Sequence, residues 1–497
     1  MALIKTPYWY KIVRHIADGI LFLLLTVLAL RWMEIVILPD ALSSWGIPLA
    51  FVLAMVLRAW AQYAHRPPGI HNNGVWHHPL TSRKWPAWML SLLLTAFYVV
   101  LYFYPQYLGL GTDGAPNRGL IAMFDPLSKA LSGNPASQWF VYGVLYTTAI
   151  LGFGIKFLMK YRHNRYQIRR TLSVMFFQLG FAFLLPELLM ALNMPYYNFA
   201  TFWPLHYYYF DQWHVDQLLR AGLLGKWMFF WGLAMIFVIS PYLTYRFGKR
   251  WFCSWVCGCG GLAETAGDPF RHLSDKSLRA WQIERYLIHS ILVVAVAMTI
   301  GVVESYLRTG QYWLTPRTFV VLSLLIVALP AAWLLITQRD QLARDARILL
   351  AAVALLFTIV LVNHLLSPHG EIFFVDAGAV RKWYGFFIGS IFSGVIGVGF
   401  YPIMGSRVWC RFGCPLAAIL GIQQKYFSRF RITVNGGQCI SCGNCSVYCE
   451  MGIDVRDYAQ RGKNIVRASC VGCGICAAVC PRGVLRLENG PSYKNKV

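Results

Sequence analysis

Apolar residues run through this chain in long blocks separated by short polar breaks. A block of about 20 residues is what a helix needs to cross the hydrocarbon core of a bilayer. Ten such blocks are present, at 17–38, 44–62, 86–107, 138–160, 170–192, 225–246, 286–305, 317–337, 347–366 and 383–405. Each is expected to be a transmembrane helix. Beyond the tenth block the pattern changes. Arg431-Ile432-Thr433-Val434 and Val484-Leu485-Arg486-Leu487 alternate with a period of two, the mark of short strands. The expected fold is an all-α polytopic membrane protein with a small C-terminal α+β domain. Three parts follow from the pattern: residues 1–224 with five spans, residues 225–430 with five more, and a polar domain at 431–497, after which no further domain is expected.

The first block follows a basic stretch containing Lys5, Lys11 and Arg14. A signal peptide can begin the same way. This run is long enough to span and no small-residue cleavage site follows it, so an uncleaved first span is expected. Composition agrees with a membrane protein. Hydrophobic residues make up 57% and charged residues 13%, where a soluble chain carries about a quarter charged. The 19 Trp and 27 Tyr suit aromatic belts at the bilayer interfaces. A formal net charge of +24 raises the question of nucleic acid. Here the positive residues sit in short loops between apolar runs and form no tail or repeat, so topology accounts for them and no nucleic-acid partner is expected.

Placing both termini in the cytoplasm of a bacterial inner membrane satisfies the positive-inside rule. The inner loops then carry Arg162, Arg165, Arg169 and Arg170; Lys249, Arg250, Arg271, Lys276, Arg279 and Arg285; and Arg339, Arg344 and Arg347. The outer segment 193–224 carries only Arg220, and 367–380 carries no Lys or Arg. Arg381 and Lys382 run against this assignment. The segment 193–224 is dense in aromatics, among them Tyr196, Phe202, Trp203, Tyr207, Tyr208, Tyr209 and Trp213. It reads as a plug at headgroup level, with a docking surface or quinone pocket as the alternative.

The candidate chemistry lies in the cysteines. Cys439, Cys442, Cys445 and Cys449 repeat the spacing of Cys470, Cys473, Cys476 and Cys480. C-x2-C-x2-C-x3-C holds cubane iron–sulfur clusters, and in paired motifs the fourth cysteine serves the other cube. One [4Fe-4S] cluster is thus expected on Cys439, Cys442, Cys445 and Cys480, and a second on Cys470, Cys473, Cys476 and Cys449. Zinc would use separated C-x2-C pairs rather than two even quartets. Disulfides are not expected on a cytoplasmic domain.

Four more cysteines form two C-x3-C pairs just past spans six and ten: Cys253 with Cys257, and Cys410 with Cys414. Each pair follows an arginine and an aromatic, a weak internal repeat, and by parity both lie on the cytoplasmic edge. At helical pitch each pair puts two thiols on one face. Together they offer four sulfurs for a third cluster, a soft metal such as copper, or a thiol relay. The bland alternative is small buried apolar residues. Cys259 has no assignment.

Other polar residues in or near spans carry weaker signals. Arg31 and Glu34 are spaced to pair, and Lys156 is expected to snorkel to the inner face. Glu187 and Glu304 are either proton-handling groups of a quinone site or structural charges. His289 and His364 lie near opposite faces, which argues against one bis-histidine haem. His65, His71, His77 and His78 lack metal-site spacing and read as a solvated loop. No glycine-rich nucleotide loop follows a strand, so direct NADH oxidation is not expected.

Spans ending in C-x3-C-P and followed by two ferredoxin motifs resemble the membrane iron–sulfur proteins typified by NosR, NapH and CcoG. The segment Cys449-Glu-Met-Gly-Ile-Asp-Val-Arg456 is similar to that family's C-P-M-G-I-D-I-R. The resemblance covers about residues 225–497. It implies electron transfer between cytoplasmic clusters and a membrane quinone or a periplasmic redox partner. CcoG-like members imply copper reduction during oxidase assembly instead, and a redox sensor without turnover is a third reading. The chain departs from the family at Cys257-Gly258, where Cys-Pro is usual, and at Glu450, where Pro is usual. It also lacks the Ser/Thr-rich covalent-flavin motif of NosR and the extra C-terminal domain of CcoG-like members.

Overall fold

The computed structural model describes residues 7–65, 79–112, 114–310, 314–337, 344–366 and 376–490. Among these, eight helices are long and apolar enough to cross a membrane. They are α1 (Tyr8–Trp32), α2 (Asp40–Tyr63), α3 (Trp85–Phe103), α4 (Gln138–Lys160), α5 (Arg165–Ala191), α6 (Gly222–Phe247), α7 (Leu278–Arg308) and α8 (Pro316–Thr337). Two further helices occupy the ninth and tenth expected blocks: α9 (Arg344–Leu366), and α10 (Ala377–Tyr384, continued in wide turns over Gly385–Ile396). Eight spans of the expected ten therefore stand on length and hydropathy. Side-chain caps set several starts. Ser137 accepts from the Phe140 N–H, Asn164 from those of Tyr166 and Gln167, and Ser277 from that of Ala280.

The turns expected on the inner side gather at one end of the helix layer. The ring of Tyr10 in α1 lies 5.2 Å from that of Trp60 in α2. Arg162, past α4, donates to the Tyr63 carbonyl at the end of α2. Arg83, before α3, donates to the carbonyls of Leu273 and Ile403, beyond α6 and α10. Trp333 near the end of α8 stacks on Phe427 of α11 (Pro415–Phe427). The C-terminal domain docks at this same end. Its two strands, β1 (Phe430–Val434) and β2 (Leu485–Asn489), pair antiparallel with Ile432 opposite Leu487. They match the two stretches of period-two alternation to within two residues at each end.

The aromatic segment between α5 and α6 is not a headgroup-level plug. Phe202 packs 4.9 Å from the ring of Phe252, past the far end of α6. That helix has 26 residues, a length of about 39 Å. The segment therefore folds back between the helices. Tyr209 donates to the Phe229 carbonyl in α6, and Trp203 donates to Thr299 in α7. Glycines make the room: a Cβ on Gly232 would lie 2.3 Å from the Tyr209 hydroxyl, and one on Gly389 2.9 Å from the Tyr207 ring. Aromatic rings suit an apolar interior as well as an interface, so their density alone does not distinguish the two. The fold also explains Arg381, which pairs with Asp211 of this segment at 3.1 Å.

One of the smaller expectations changes, the pairing of Arg31. Arg31 pairs with Asp40 at 2.7 Å, not with Glu34. Glu304 is held by Arg308 one turn on. His289 donates through Nδ1 to the Arg285 carbonyl and holds a structural place. Lys156 lies over the Phe153 ring. Arg347 is exposed, while His71, His77, His78 and Arg339, and the side chains of Arg344 and His364, lie outside the described residues.

Candidate metal centres and the interface between them

The two ferredoxin-type motifs fold around two cavities. The first is lined by Cys439, Cys442, Cys445 and Cys480. The second is lined by Cys449, Cys470, Cys473 and Cys476. The crossing of the fourth cysteine expected from the spacing is thus present in the geometry. Gly443 and Gly474, at φ 80° and 75°, start the short helices Asn444–Val447 and Ile475–Ala478 that carry the third cysteine of each motif. Four thiols converging on each cavity fit a cubane cluster. Burial pushes Cys449 up to about 11 and Cys473 up to about 12. Such thiols keep their protons until a metal displaces them.

The two cavities differ in exposure. Cys442 of the first is exposed, whereas Cys470 and Cys476 of the second are buried. The loop of the second motif is pinned to the helix layer through its backbone. Gln424 of α11 donates to the Cys470 carbonyl, Ser254 to that of Val471, Tyr166 to that of Gly472 and Gln167 to that of Cys473, all within 2.9 Å.

Directly beneath that loop lie Cys253, Cys257, Cys410 and Cys414, all buried and in one apolar cluster with Cys470 and Cys476. Neither C-x3-C pair is a continuous helical turn. Cys253 ends the helix Arg250–Cys253, while Cys257 precedes the helix Gly258–Thr265. Cys414 likewise precedes α11 in extended backbone, as Pro415 after it requires. Each second cysteine thus sits at a helix N-terminus, where the dipole favours a thiolate. The two pairs meet. Arg407 donates to the Cys253 carbonyl at 3.2 Å and to the Cys410 sulfur at 3.5 Å. Burial raises Cys253, Cys410 and Cys414, and each also feels the other pair's sulfurs. Cys259 now has a place: it lies beside Cys257 and lowers it.

Between this cysteine set and the second cavity runs a buried chain of charges. Lys160 pairs with Asp268 at 2.7 Å, and Asp268 with Arg271 at 2.8 Å. Arg271 pairs with Glu450 at 2.6 Å, and Glu450 with Arg407 at 3.0 Å. Arg407 also holds Glu264, which in turn holds Arg170. Sequence reasoning read Arg170 and Arg271 as loop charges and Glu450 as a departure from the usual proline. It did not see Glu264, Asp268 or Arg407 as parts of a site. The only early signal was an acidic residue between ferredoxin cysteines. Carboxyl oxygens of Glu264 and Glu450 lie within 4.8 Å of the Cys473 sulfur and of one another. This is no separate metal site, because the arginines occupy both carboxylates and Cys473 lines the second cavity.

A second missed feature lies in the re-entrant segment. His206 and His214 are buried with ring centroids 5.1 Å apart, and their Nε2 atoms have no hydrogen-bond partner among the described residues. The Tyr209 carbonyl, which can only accept, takes the proton of His214 Nδ1. The Nε2 of neutral His214 therefore carries a free lone pair.

Comparison with known proteins agrees with this arrangement. Residues 438–485 match a 4Fe-4S dicluster domain model. Residues 227–277 and 384–434 each match a 4Fe-4S binding domain model, and each stretch contains one C-x3-C pair. The internal repeat expected from the two C-x3-C pairs thus reappears as two matches to one domain model. An Escherichia coli protein named "Putative electron transport protein YccM" is 24% identical over 292 residues, covering 54% of this chain. The match takes in 64% of that relative, so this chain spans just under two thirds of its length. No solved structure matches. The chain thus joins 4Fe-4S-type domains to a set of long apolar helices.

Proposed function

We propose that this chain is a membrane iron–sulfur electron carrier, with two [4Fe-4S] clusters in the 431–497 domain and a third centre on Cys253, Cys257, Cys410 and Cys414. The single observation that carries the reading is the stacking of three four-cysteine sets from an exposed surface into the helix layer. The parts act as 1–224, 225–430 and 431–497. Both termini face the cytoplasm of a bacterial inner membrane, as the basic loops at the docking end favour. When bound, a cubane cluster supplies one-electron exchange at a potential set by its surroundings.

The chain's own residues set the order of exchange. Exposed Cys442 marks the side open to a soluble partner. The second motif is closed to solvent by Tyr166, Gln167, Ser254 and Gln424. The far side is a membrane quinone or a periplasmic redox partner, as the NosR/NapH resemblance implies. For a quinone, His206 and His214 give a fitting headgroup site. His206 lies one turn after Phe202, which touches the Cys253 helix at Phe252, and the free His214 lone pair can take a hydroxyl hydrogen bond.

A copper-reducing role of the CcoG kind is the second reading, favoured by four buried sulfurs that suit a cuprous ion. Iron and acid-labile sulfide per chain, with EPR of the reduced protein, separate the two. We expect more iron than the roughly eight atoms of two cubes, and loss of the excess alone in Cys410→Ser/Cys414→Ser. Iron at the level of two cubes in both proteins, with copper retained by the wild type and lost in the variant, overturns the third cluster and favours copper.

A further inference from the structure

The chain places one guanidinium between two redox-competent cysteine sets. Arg407 is 1% exposed. One edge of it meets the Cys410 sulfur and the Cys253 carbonyl. Its other nitrogens meet Glu450 and Glu264, whose carboxyl oxygens lie within 4.8 Å of the Cys473 sulfur. Glu450 directly follows Cys449, a cysteine of the second cavity, and it also binds Arg271. A proline at this position could make none of these contacts.

We propose that Arg407 and Glu450 are positioning residues that fix the separation of the membrane-edge centre and the second ferredoxin centre and set the potential of the latter. This rests on the reading that the second cavity holds a cluster. A cluster held by four thiolates is an anion and becomes more so on reduction. A fixed cation nearby favours the reduced form, and a fixed carboxylate disfavours it. Burial removes the water that would screen either charge. The two side chains therefore act with opposite sign on the same centre, while together they form one mechanical tie.

That opposition supplies the test. Glu450→Gln keeps the shape but removes the negative charge beside Cys473; its amide oxygen still accepts from one arginine, while its amide nitrogen can accept from neither. Arg407→Gln removes the positive charge. The probe is an EPR-monitored redox titration of the full-length protein in detergent, with iron and sulfide content measured in parallel. We expect Glu450→Gln to raise the midpoint potential of the second centre and Arg407→Gln to lower it. Each change should be about tenfold in the reduction equilibrium, or 59 mV for a one-electron couple. Arg407→Lys should stay nearer the wild type. Two shifts of the same sign would mean that the substitutions merely loosen the interface and admit water, which overturns the proposal. So would unmoved potentials at full iron loading. If Arg407→Gln fails to accumulate, the isosteric Glu450→Gln decides alone, by an upward shift or none. A wild type with no cubane signal defeats the functional reading; a cubane signal that does not move defeats only this inference.

Discussion

Asp268 is the place where the docking interface can be broken most cleanly. Its carboxylate is buried and takes Lys160 at 2.7 Å and Arg271 at 2.8 Å. Asp268→Asn leaves two cations short of a charge. Arg271 still has Glu450, but Lys160 has no second carboxylate partner among the described residues. Removing one partner of a buried pair costs roughly 3–5 kcal/mol. With one cation still satisfied, the lower end applies, about 3 kcal/mol. At about 1.4 kcal/mol per decade, local opening becomes more frequent by about a hundredfold. Amide hydrogen exchange on protein in lipid should show this at 268–274, and more weakly at 470–474, while α1 and α2 stay unchanged.

Two controls make the reasoning refutable. Lys160→Met/Asp268→Leu removes both charges and replaces them with apolar bulk. Such replacement is often neutral or stabilising, so protection should return to within a few-fold of wild type. If the double variant opens as readily as the single one, the pair is not the cause. The second control is pH. Burial alone would raise Asp268, but Lys160 and Arg271 outweigh it and hold the carboxyl at about 2, below its ordinary 3.8. A depressed acid contributes its stability above the ordinary value and loses it as pH falls toward 2. Protection at 268–274 should therefore be flat between pH 5 and 8. A slope in that window would refute the assignment of this carboxyl.

Two further outcomes follow from single positions. Gly474 sits at φ 75°, and a Cβ there would come within 2.7 Å of the Tyr166 ring. Gly474→Ala should therefore undock the second motif, seen as faster loss of iron to a chelator, whereas Gly483→Ala, with open space around it, should strain only its own turn. In proteoliposomes holding a menaquinone pool, with reduced ferredoxin outside, His206→Ala/His214→Ala should cut quinone reduction at least tenfold with iron content unchanged. Equal flux in wild type and variant would remove this pair from the exchange site.

What was legible in the sequence was whatever short-range spacing determines. The cysteine quartets gave both cavities and their crossed membership, because a C-x2-C-x2-C loop can only close on a point. The apolar blocks gave the helices, and the basic loops gave the end at which they gather. The C-x3-C pairs were found by repetition, but their geometry was misjudged. Helical pitch was assumed across a break that Pro415 and Gly258 place at the second cysteine. The re-entrant segment was misread because Tyr and Trp serve interfaces and interiors alike. The charge chain was out of reach for a different reason. Lys160, Asp268, Arg407 and Glu450 are far apart in the chain, and no local pattern says which buried charges meet.

The departure at Glu450 shows how such a residue should be weighed. As a motif position it is a loss, since proline there shapes the turn after the fourth cysteine. In the folded protein it is, among the described residues, the carboxylate of the C-terminal domain shared by two arginines of the helix layer, Arg271 before α7 and Arg407 after α10. Both arginines lie in the stretches that match the 4Fe-4S binding domain model. A desolvated acid at this position would be costly without partners, and the partners would be costly without the acid. The three residues are therefore interdependent, and they tie the C-terminal domain to both halves of the repeat. A ferredoxin that diffuses must find its partner for each electron. On the proposed reading, the C-terminal domain is continuous with α11 and held at Glu450, so exchange between the second cavity and the membrane-edge cysteines would require no encounter, and the exposed Cys442 side would remain open to one.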